Sequence, residues 1–271
     1  MTGRGARPGR LVLLGHPVAH SLSPRFQTAA LRSAGIPLVY EAVDVEPPQL
    51  DRVLTELAAA GAGGNVTIPY KRAVAARCAR RSPVAERAGA VNTFWTEGGA
   101  LVGDNTDVDG VHQAVCALLG HPPRDERVAL LGAGGSAAAV LCAMERWEGA
   151  AAVLYNRTMP RAEQLASRFA AIAACAPTLD AALTDATLVI NATSLGLGGS
   201  GEPAPIDRLP RGAAVLDLVY APGETAWVRA ARGAGHPAQD GIVMLVEQGA
   251  AAFERWFGIA PDRDAMWAAL R

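Results

Sequence analysis

The chain has 271 residues, of which half are hydrophobic and 19 % are charged, so it can bury a sizeable core and lacks the composition of a disordered protein. Its formal net charge of -1 gives no basic field for a phosphate backbone or an anionic membrane, which argues against nucleic acid and membranes as partners. At about 150 residues per domain, the length favours two domains.

The amino terminus and the cysteines favour a cytoplasmic protein without a metal site. The arginine-rich residues 1–10 precede an apolar run over 11–15, which is far too short for a signal-peptide core or a membrane span. The cysteines are widely spaced and form no Cys-x-x-Cys pair, so we expect neither zinc nor disulfides, but small core residues. These cysteines are Cys78, Cys116, Cys142 and Cys175.

The first 105 or so residues alternate strands and helices. Ser23-Pro24 predicts a helix start with Ser23 as N-cap, and residues 50–57 carry leucines and a valine on one helical face. Another helix is predicted to begin at Asp107. The predicted strands are 10–14, 38–45, 65–69, 91–96 and 100–103.

Continuous apolar strands then alternate with helices, which is typical of a parallel sheet covered on both faces. This pattern predicts a doubly wound nucleotide-binding domain, followed by helices from Gly241 onward. The predicted strands are 128–131, 151–155, 188–192 and 214–220, and the predicted helices include one that ends at Trp147 and one over 158–169.

A glycine-rich turn follows the strand over 128–131 and opens an alanine-rich helix. Such a turn lets the backbone approach a pyrophosphate, and the helix start offers N–H groups and a positive dipole end. Ala137 is small enough for close helix packing. We therefore predict a dinucleotide site at the turn with Gly132, Gly134 and Gly135, a segment that also contains Ala133 and Ser136.

The end of the next strand indicates which dinucleotide binds. NAD-binding proteins place an acid there for the ribose 2′-hydroxyl. This chain instead has Asn156, Arg157 and Thr158, with Arg161 one helical turn later. Two guanidiniums and a hydroxyl suit a 2′-phosphate, which favours NADP.

Several polar turns of the first half follow strands, where ligands collect in open α/β sheets. Ser21 and Ser23 flank a helix start, residues 65–71 carry an amide, a hydroxyl and an ammonium, and residues 103–107 add an amide and two carboxylates. Asn92 lies in a further turn. Together they predict a small polyhydroxylated substrate bound by hydrogen bonds.

Nine segments carry a family resemblance: GHPVAHSLSP, NVTIPYK, GAVNT, GDNTD, GAGG, NRT, NATSLG, DLVY and DGIVMLVEQ. In their order and spacing they resemble the shikimate dehydrogenases over nearly the whole chain. The resemblance implies reversible, NADP-dependent reduction of 3-dehydroshikimate to shikimate. It also implies an α/β fold with a substrate domain over 1–106, completed by helices over 242–271, and a Rossmann-like NADP-binding domain over 107–241.

The resemblance assigns roles residue by residue. Lys71 and Asp107 match the catalytic pair. The positions that match substrate-binding residues are Ser21, Ser23, Thr67, Asn92, Tyr220 and Gln248. Those that match cofactor-contacting segments are residues 132–136, Asn156, Arg157, Thr158, Arg161, Thr193, Leu218 and Gly241.

The chemistry suits that pair. During hydride transfer, negative charge grows on the carbonyl oxygen, and this oxygen must also receive one proton. An ammonium can stabilise the charge and donate the proton. A carboxylate can hold the ammonium or bind a substrate hydroxyl. The sequence leaves open which of Lys71 and Asp107 transfers the proton. It also leaves open whether the protein is a monomer or a homodimer.

Two alternatives remain. The first is a quinate or aminoshikimate dehydrogenase of the same family, although quinate-preferring relatives tend to carry threonine at the position of Ser23. The second is an NADPH-binding protein that has lost catalysis, against which stands the retention of Lys71, Asp107 and the substrate hydroxyls. Gln27, Val108 and Val243 depart from the usual family pattern, in which histidine, glycine and glycine are frequent.

Overall fold

The computed structural model describes residues 6–199 and 201–271, which form two compact units. The first unit ends at Gly110 and is completed by Leu245–Arg271, and the second is Val111–Met244. These boundaries lie a few residues beyond the predicted ones at 106/107 and 241/242.

The strands and helices of the described residues follow one another in short succession. The strands are β1 (Leu11–Gly15), β2 (Tyr40–Asp44), β3 (Gly63–Val66), β4 (Arg80–Arg81), β5 (Thr93–Glu97), β6 (Ala100–Asp104), β7 (Arg127–Leu131), β8 (Ala151–Tyr155), β9 (Ala173–Cys175), β10 (Leu188–Asn191), β11 (Ala214–Asp217) and β12 (Ala238–Gln239). The helices are α1 (Ser23–Ser33), α2 (Leu50–Ala59), α3 (Lys71–Arg77), α4 (Pro83–Ala88), α5 (Asp107–Leu119), α6 (Gly135–Met144), α7 (Met159–Arg168), α8 (Leu179–Leu183), α9 (Ala226–Gly233), α10 (Ile242–Phe257) and α11 (Arg263–Ala268).

The first unit contains a mixed sheet in the order β2-β1-β3-β5-β6-β4. Strand β1 runs parallel to β2 and β3, whereas β5 runs antiparallel to β3 and β6. Apolar clusters fill both faces of this sheet. One of them joins Phe26 of α1 to Val246, Phe253 and Trp256 of α10, so the C-terminal helix is part of the core of this unit.

The second unit contains an entirely parallel sheet in the order β12-β11-β10-β7-β8-β9. Its central strands β7, β10 and β11 are almost wholly buried, as expected for a sheet covered on both faces. The predicted α/β fold class, with a Rossmann-like second half, is confirmed.

Two predictions of local structure need correction. Leu22, and not Ser23, occupies the N-cap of α1, because Pro24 fits the second helical position and the chain turns one residue earlier. Ser21 Oγ instead accepts a hydrogen bond from Ser23 N at 3.2 Å. None of the four cysteines, which all lie within the described residues, forms a disulfide; Cys78 and Cys142 are buried core residues, whereas Cys116 and Cys175 are partly exposed.

No helix in the described segments is long and apolar enough to cross a membrane.

Candidate active site

Lys71 and Asp107 form a close ion pair in the first unit. Lys71 is the first residue of α3 and Asp107 the first of α5, so two helix starts bring the groups together. The Lys71 Nζ to Asp107 Oδ2 distance is 2.6 Å, with side chains only 16 % and 5 % exposed. Such a short, shielded, charge-assisted contact holds the ammonium in one direction.

Lys71 is also the single lysine of the chain; the other 24 of its 25 basic Lys and Arg residues are arginines. A guanidinium does not give up its proton in proteins, whereas an ammonium can. The only long cationic side chain of this protein that can release a proton therefore lies opposite Asp107. The presence of a single lysine is visible in the sequence and singles out Lys71 without any motif.

Asn92 connects the pair to the rest of the site. Its side-chain nitrogen lies 2.8 Å from Asp107 Oδ1, 3.1 Å from Thr106 Oγ1 and 3.2 Å from Gln248 Oε1. An amide nitrogen has two hydrogens for these three acceptors, so one acceptor is left without a full bond from it. Both oxygens of Asp107 are engaged, one by Lys71 and one by Asn92.

A buried network fixes the orientation of Asn92. Asn92 Oδ1 accepts from Thr106 N at 2.7 Å and from Thr93 Oγ1 at 3.0 Å. Asn65 donates to Asn92 O and Thr93 Oγ1, and accepts from Tyr40 OH at 2.7 Å. Burial raises the pKa of Tyr40, so its hydroxyl stays a donor. Asn65 is therefore committed to this network rather than exposed at the strand end.

Helix α10 brings Gln248 to the same cluster. Gln27 of α1 helps to hold this part of the helix, because its Nε2 donates to Gly249 O at 2.9 Å. Arg255, further along α10, pairs with Asp104 Oδ2 at 2.8 Å, and Asp104 precedes the segment that carries Asp107. Asp104 was recognised only as a carboxylate of a polar turn; its partner Arg255 was not recognised, since nothing in the sequence shows a contact across 151 positions.

Ser21, Ser23 and Thr67 follow the ends of two neighbouring strands of the first unit. Thr67 N donates to Leu14 O at 2.8 Å, and a Cβ on Gly15 would come within 2.4 Å of the Thr67 methyl. Ser21 precedes α1, and Ser23 is buried at its start. The sixth predicted substrate residue, Tyr220, follows β11 in the second unit.

The predicted glycine-rich turn joins β7 to α6. Gly132 has a φ of +113°, a value that favours glycine, and a Cβ there would lie 2.9 Å from Ala192 O. Gly134 directly precedes α6 and faces open space, since a Cβ added to it would have no other atom within 4 Å. Backbone and helix start therefore have the room and polarity that a dinucleotide phosphate requires.

Arg157 and Arg161 are exposed beyond the end of β8, and neither side chain has a hydrogen bond or ion pair within residues 6–199 and 201–271. Asn156 Nδ2 donates to Thr158 O at 2.8 Å, which shapes the turn between β8 and α7. These two cations are available to an anion. The two arginines and the glycine-rich turn thus follow adjacent strands, β8 and β7.

The remaining predicted cofactor residues lie at the ends of β10, β11 and β12. Thr193 follows β10, Leu218 follows β11 and Gly241 follows β12. A Cβ on Gly241 would approach Leu218 O to 2.4 Å, so only glycine fits there. No group of three or more His, Cys, Asp or Glu residues in the described chain could hold a metal ion.

Family models match three segments of the chain. Residues 13–94 match the shikimate dehydrogenase substrate binding domain, and residues 119–196 match shikimate / quinate 5-dehydrogenase. Residues 241–271 match the shikimate 5'-dehydrogenase C-terminal domain.

Individual proteins are similar over nearly the full length. A shikimate dehydrogenase (NADP(+)) of Mesorhizobium japonicum is 41 % identical over 94 % of this chain and 93 % of its own. The crystal structure of shikimate dehydrogenase from Aquifex aeolicus has a TM-score of 0.90 at 30 % identity, covering 97 % of this chain and 98 % of that one. Shikimate 5-dehydrogenase of Thermus thermophilus, in complex with NADP(H) and shikimate, has a TM-score of 0.85 at 40 % identity, covering 97 % and 98 %.

The fold, the glycine-rich turn after β7 and the ion pair between Lys71 and Asp107 define a two-domain α/β oxidoreductase that uses a nicotinamide dinucleotide. Within that class, the chain belongs to the shikimate dehydrogenase family.

Proposed function

We propose that this protein catalyses the reversible, NADP-dependent reduction of 3-dehydroshikimate to shikimate, with Lys71 and Asp107 as its catalytic pair. The observation that carries the proposal is the shielded 2.6 Å contact between Lys71 Nζ and Asp107 Oδ2, joined through Asn92 to Gln248. The family's motifs surround these residues from Ser21 to Gln248.

Lys71 is the proton donor in this account. An ammonium has three N–H groups, and Asp107 takes one of them, so the others can point to a carbonyl oxygen of the substrate. Lys71 stabilises the negative charge that develops on this oxygen and then delivers the proton to it. In the oxidative direction the same nitrogen accepts the proton.

Asp107 orients the ammonium. Its two oxygens accept hydrogen bonds from Lys71 and Asn92, so the carboxyl group is fixed and points the ammonium in one direction. A substrate hydroxyl that donates to Asp107 or accepts from Asn92 would place the neighbouring carbonyl beside Lys71.

The substrate is held by hydroxyls and amides. Ser21 and Ser23 suit its carboxylate, and Thr67, Asn92 and Gln248 suit its carboxylate or ring hydroxyls; Tyr220 adds a phenol at the carboxylate end. A polyhydroxylated ring offers donors and acceptors to each of these side chains.

NADP fits the residues of the second unit. Residues 132–136 would hold the pyrophosphate on backbone N–H groups, and Arg157 and Arg161, helped by Asn156 and Thr158, would pair with the 2′-phosphate. Thr193, Leu218 and Gly241 would line the remainder of the cofactor. When bound, NADPH supplies the hydride for the reaction.

Steady-state assays test the proposal. Purified protein is mixed with shikimate or quinate, each with NADP and with NAD, and the reduced-nicotinamide absorbance is followed. We expect the highest kcat/KM with shikimate and NADP. Preference for quinate or an aminoshikimate would support the alternative within the family, which the match to a shikimate / quinate model keeps relevant. NADPH binding without hydride transfer to any of these substrates would support the non-catalytic alternative.

We further propose a cytoplasmic location and a monomeric or homodimeric state. Cell fractionation with an antibody and size-exclusion chromatography with light scattering test these two points.

A further inference from the structure

The carboxyl group of Asp217 is buried at the end of β11 and has no role in the account above. Three groups donate to it: Asn191 Nδ2 at 2.8 Å, Thr225 Oγ1 at 2.8 Å and Val219 N at 3.1 Å. The residue is fully shielded from solvent. Burial raises the pKa of the carboxyl, and the three donors hold that rise back. A carboxylate, which accepts on both oxygens and carries no hydrogen of its own, satisfies all three donors.

Asn191, at the end of the adjacent strand β10, connects the Asp217 carboxylate to the segment that follows β10. Its Nδ2 also donates to Leu195 O at 3.1 Å, and its Oδ1 accepts from Thr193 N at 3.0 Å and from Thr193 Oγ1 at 2.7 Å. Every donor and acceptor site of the amide is used. Asp217 fixes which end of the amide faces Thr193, because a reversed amide would point its NH2 group at the Thr193 N–H.

The segment held in this way packs on the glycine-rich turn. A Cβ on Gly132 would lie 3.1 Å from the Thr193 methyl as well as 2.9 Å from Ala192 O. Strand β10 pairs with β7 on one side and β11 on the other, so Asp217, Asn191 and Gly132 lie at the same edge of the sheet. The shape of 192–195 therefore limits the space beside the turn.

We propose that Asp217 is a positioning residue for NADP: through Asn191 it sets the backbone of Thr193–Leu195 against Gly132, in the form that the cofactor needs. The inference rests on the proposed NADP-dependent function. Asp217 itself does not touch the cofactor. Its influence should appear in cofactor affinity and leave the affinity for shikimate unaltered, since the residues that bind shikimate, Tyr220 apart, belong to the other unit.

The test compares Asp217→Asn with the wild-type protein. The substitution keeps the size of the side chain but places an NH2 group among three donors. We expect the NADPH dissociation constant, measured by fluorescence titration, to rise about tenfold or more, as leaving a buried polar group unsatisfied would produce. The KM for NADP should rise in parallel, and the KM for shikimate should be unchanged.

Three further variants and one control separate positioning from folding. Asn191→Ala removes the connecting amide and should weaken NADPH binding in the same way. Thr225→Val removes one donor and a helix cap; Thr225→Ser keeps the hydroxyl and should restore wild-type affinity. Thr178→Val is the matched control, because Thr178 caps α8 through Ala181 N and has no hydrogen bond to a carboxylate among the described residues. Melting temperatures report folding for each variant.

The outcomes are distinct. Folded Asp217→Asn or Asn191→Ala protein with the wild-type NADPH dissociation constant overturns the proposal. If neither variant folds, Thr225→Val decides, since an affinity equal to that of Thr178→Val overturns it and a weaker affinity supports it. A wild-type protein that does not bind NADPH contradicts the proposed function itself.

Discussion

The two units prepare their ligand sites in different ways. In the first, the chemistry-bearing side chains are already bonded to one another: Lys71 to Asp107, Asp107 to Asn92, and Asn92 to Gln248. In the second, the groups expected to meet the cofactor are backbone turns and the two exposed arginines, while the buried polar groups lie behind them. The first unit thus holds the proposed catalytic groups in place, and the second holds the shape of the backbone at the proposed cofactor site. Substitutions should affect turnover in one and cofactor affinity in the other.

The largest effect is expected for Lys71→Ala. Loss of the proton donor and of its charge should lower kcat by about a thousandfold, whereas the NADPH dissociation constant should not change. Lys71→Arg is the matched control for charge, and it should also be slow because a guanidinium does not release its proton. Stopped-flow absorbance and fluorescence titration give the two quantities. Normal turnover in Lys71→Ala would show that Lys71 takes no part in catalysis.

The double variant Arg157→Ala with Arg161→Ala tests whether the two exposed arginines of the second unit bind the 2′-phosphate. Loss of two charge-assisted contacts to a 2′-phosphate should raise the KM for NADP by about a hundredfold and leave the KM for NAD unchanged. Arg211→Ala, another exposed arginine, is the control and should alter neither. Equal losses for both cofactors would show that these arginines do not recognise the phosphate.

Gln248→Ala tests whether the first unit also binds the substrate through its network. Removing the amide should raise the KM for shikimate about tenfold, because the substrate group that it is proposed to bind would lose its hydrogen-bond partner. The NADP KM should stay constant. The exposed Gln164 supplies a control variant, Gln164→Ala. A change confined to the KM for NADP would show that Gln248 does not bind the substrate.

Arg255→Ala measures how much the C-terminal helix contributes to holding the Asp104–Asp107 segment. Asp104 is nearly buried but Arg255 is 40 % exposed, so we expect a loss of only about 1 kcal/mol of unfolding free energy. Chemical denaturation measures this loss. Arg52→Ala, which breaks a helix pair with Glu56 whose side chains are 64 % and 59 % exposed, should have no measurable effect. Equal stability of the two variants would mean that the Arg255 pair is dispensable.

The smallest effect concerns Cys78 in the core of the first unit. Burial raises the pKa of its thiol to about 11, so very little thiolate exists near neutral pH. Alkylation of this residue, followed by peptide mass spectrometry, should be slow at pH 8 and accelerate only as the pH approaches 11. Rapid labelling at pH 8 would indicate that this core opens readily.

Much of this organisation could be predicted from the sequence, because strand ends and turns are local features. Hydrophobic runs located the main strands, and the motifs placed Lys71, Asn92 and Asp107 near element ends and Gln248 within the C-terminal helices, and the structure joins these residues. The short helix α3 was missed: seven residues give too little periodicity to recognise, although Lys71 is its first residue.

The supporting contacts could not be predicted, because they join residues far apart in sequence. Gln27 reaches Gly249 across 222 positions, and Asp217 reaches Asn191 across 26. Alternation of apolar and polar residues shows which side chains are buried and does not show which partners they find. Ser23 illustrates the local limit, since Ser-Pro fitted two helix starts one residue apart.

The central claim is that Lys71 and Asp107 act as one unit, and a double-mutant cycle on kcat tests it most directly. Turnover is measured for Lys71→Ala, Asp107→Asn and the combined variant, with NADPH binding as the check on folding. We expect the combined variant to be about as slow as the slower single variant, since removing either member of a cooperating pair disables both. Losses that simply multiply would show that the two groups act independently and would contradict the account.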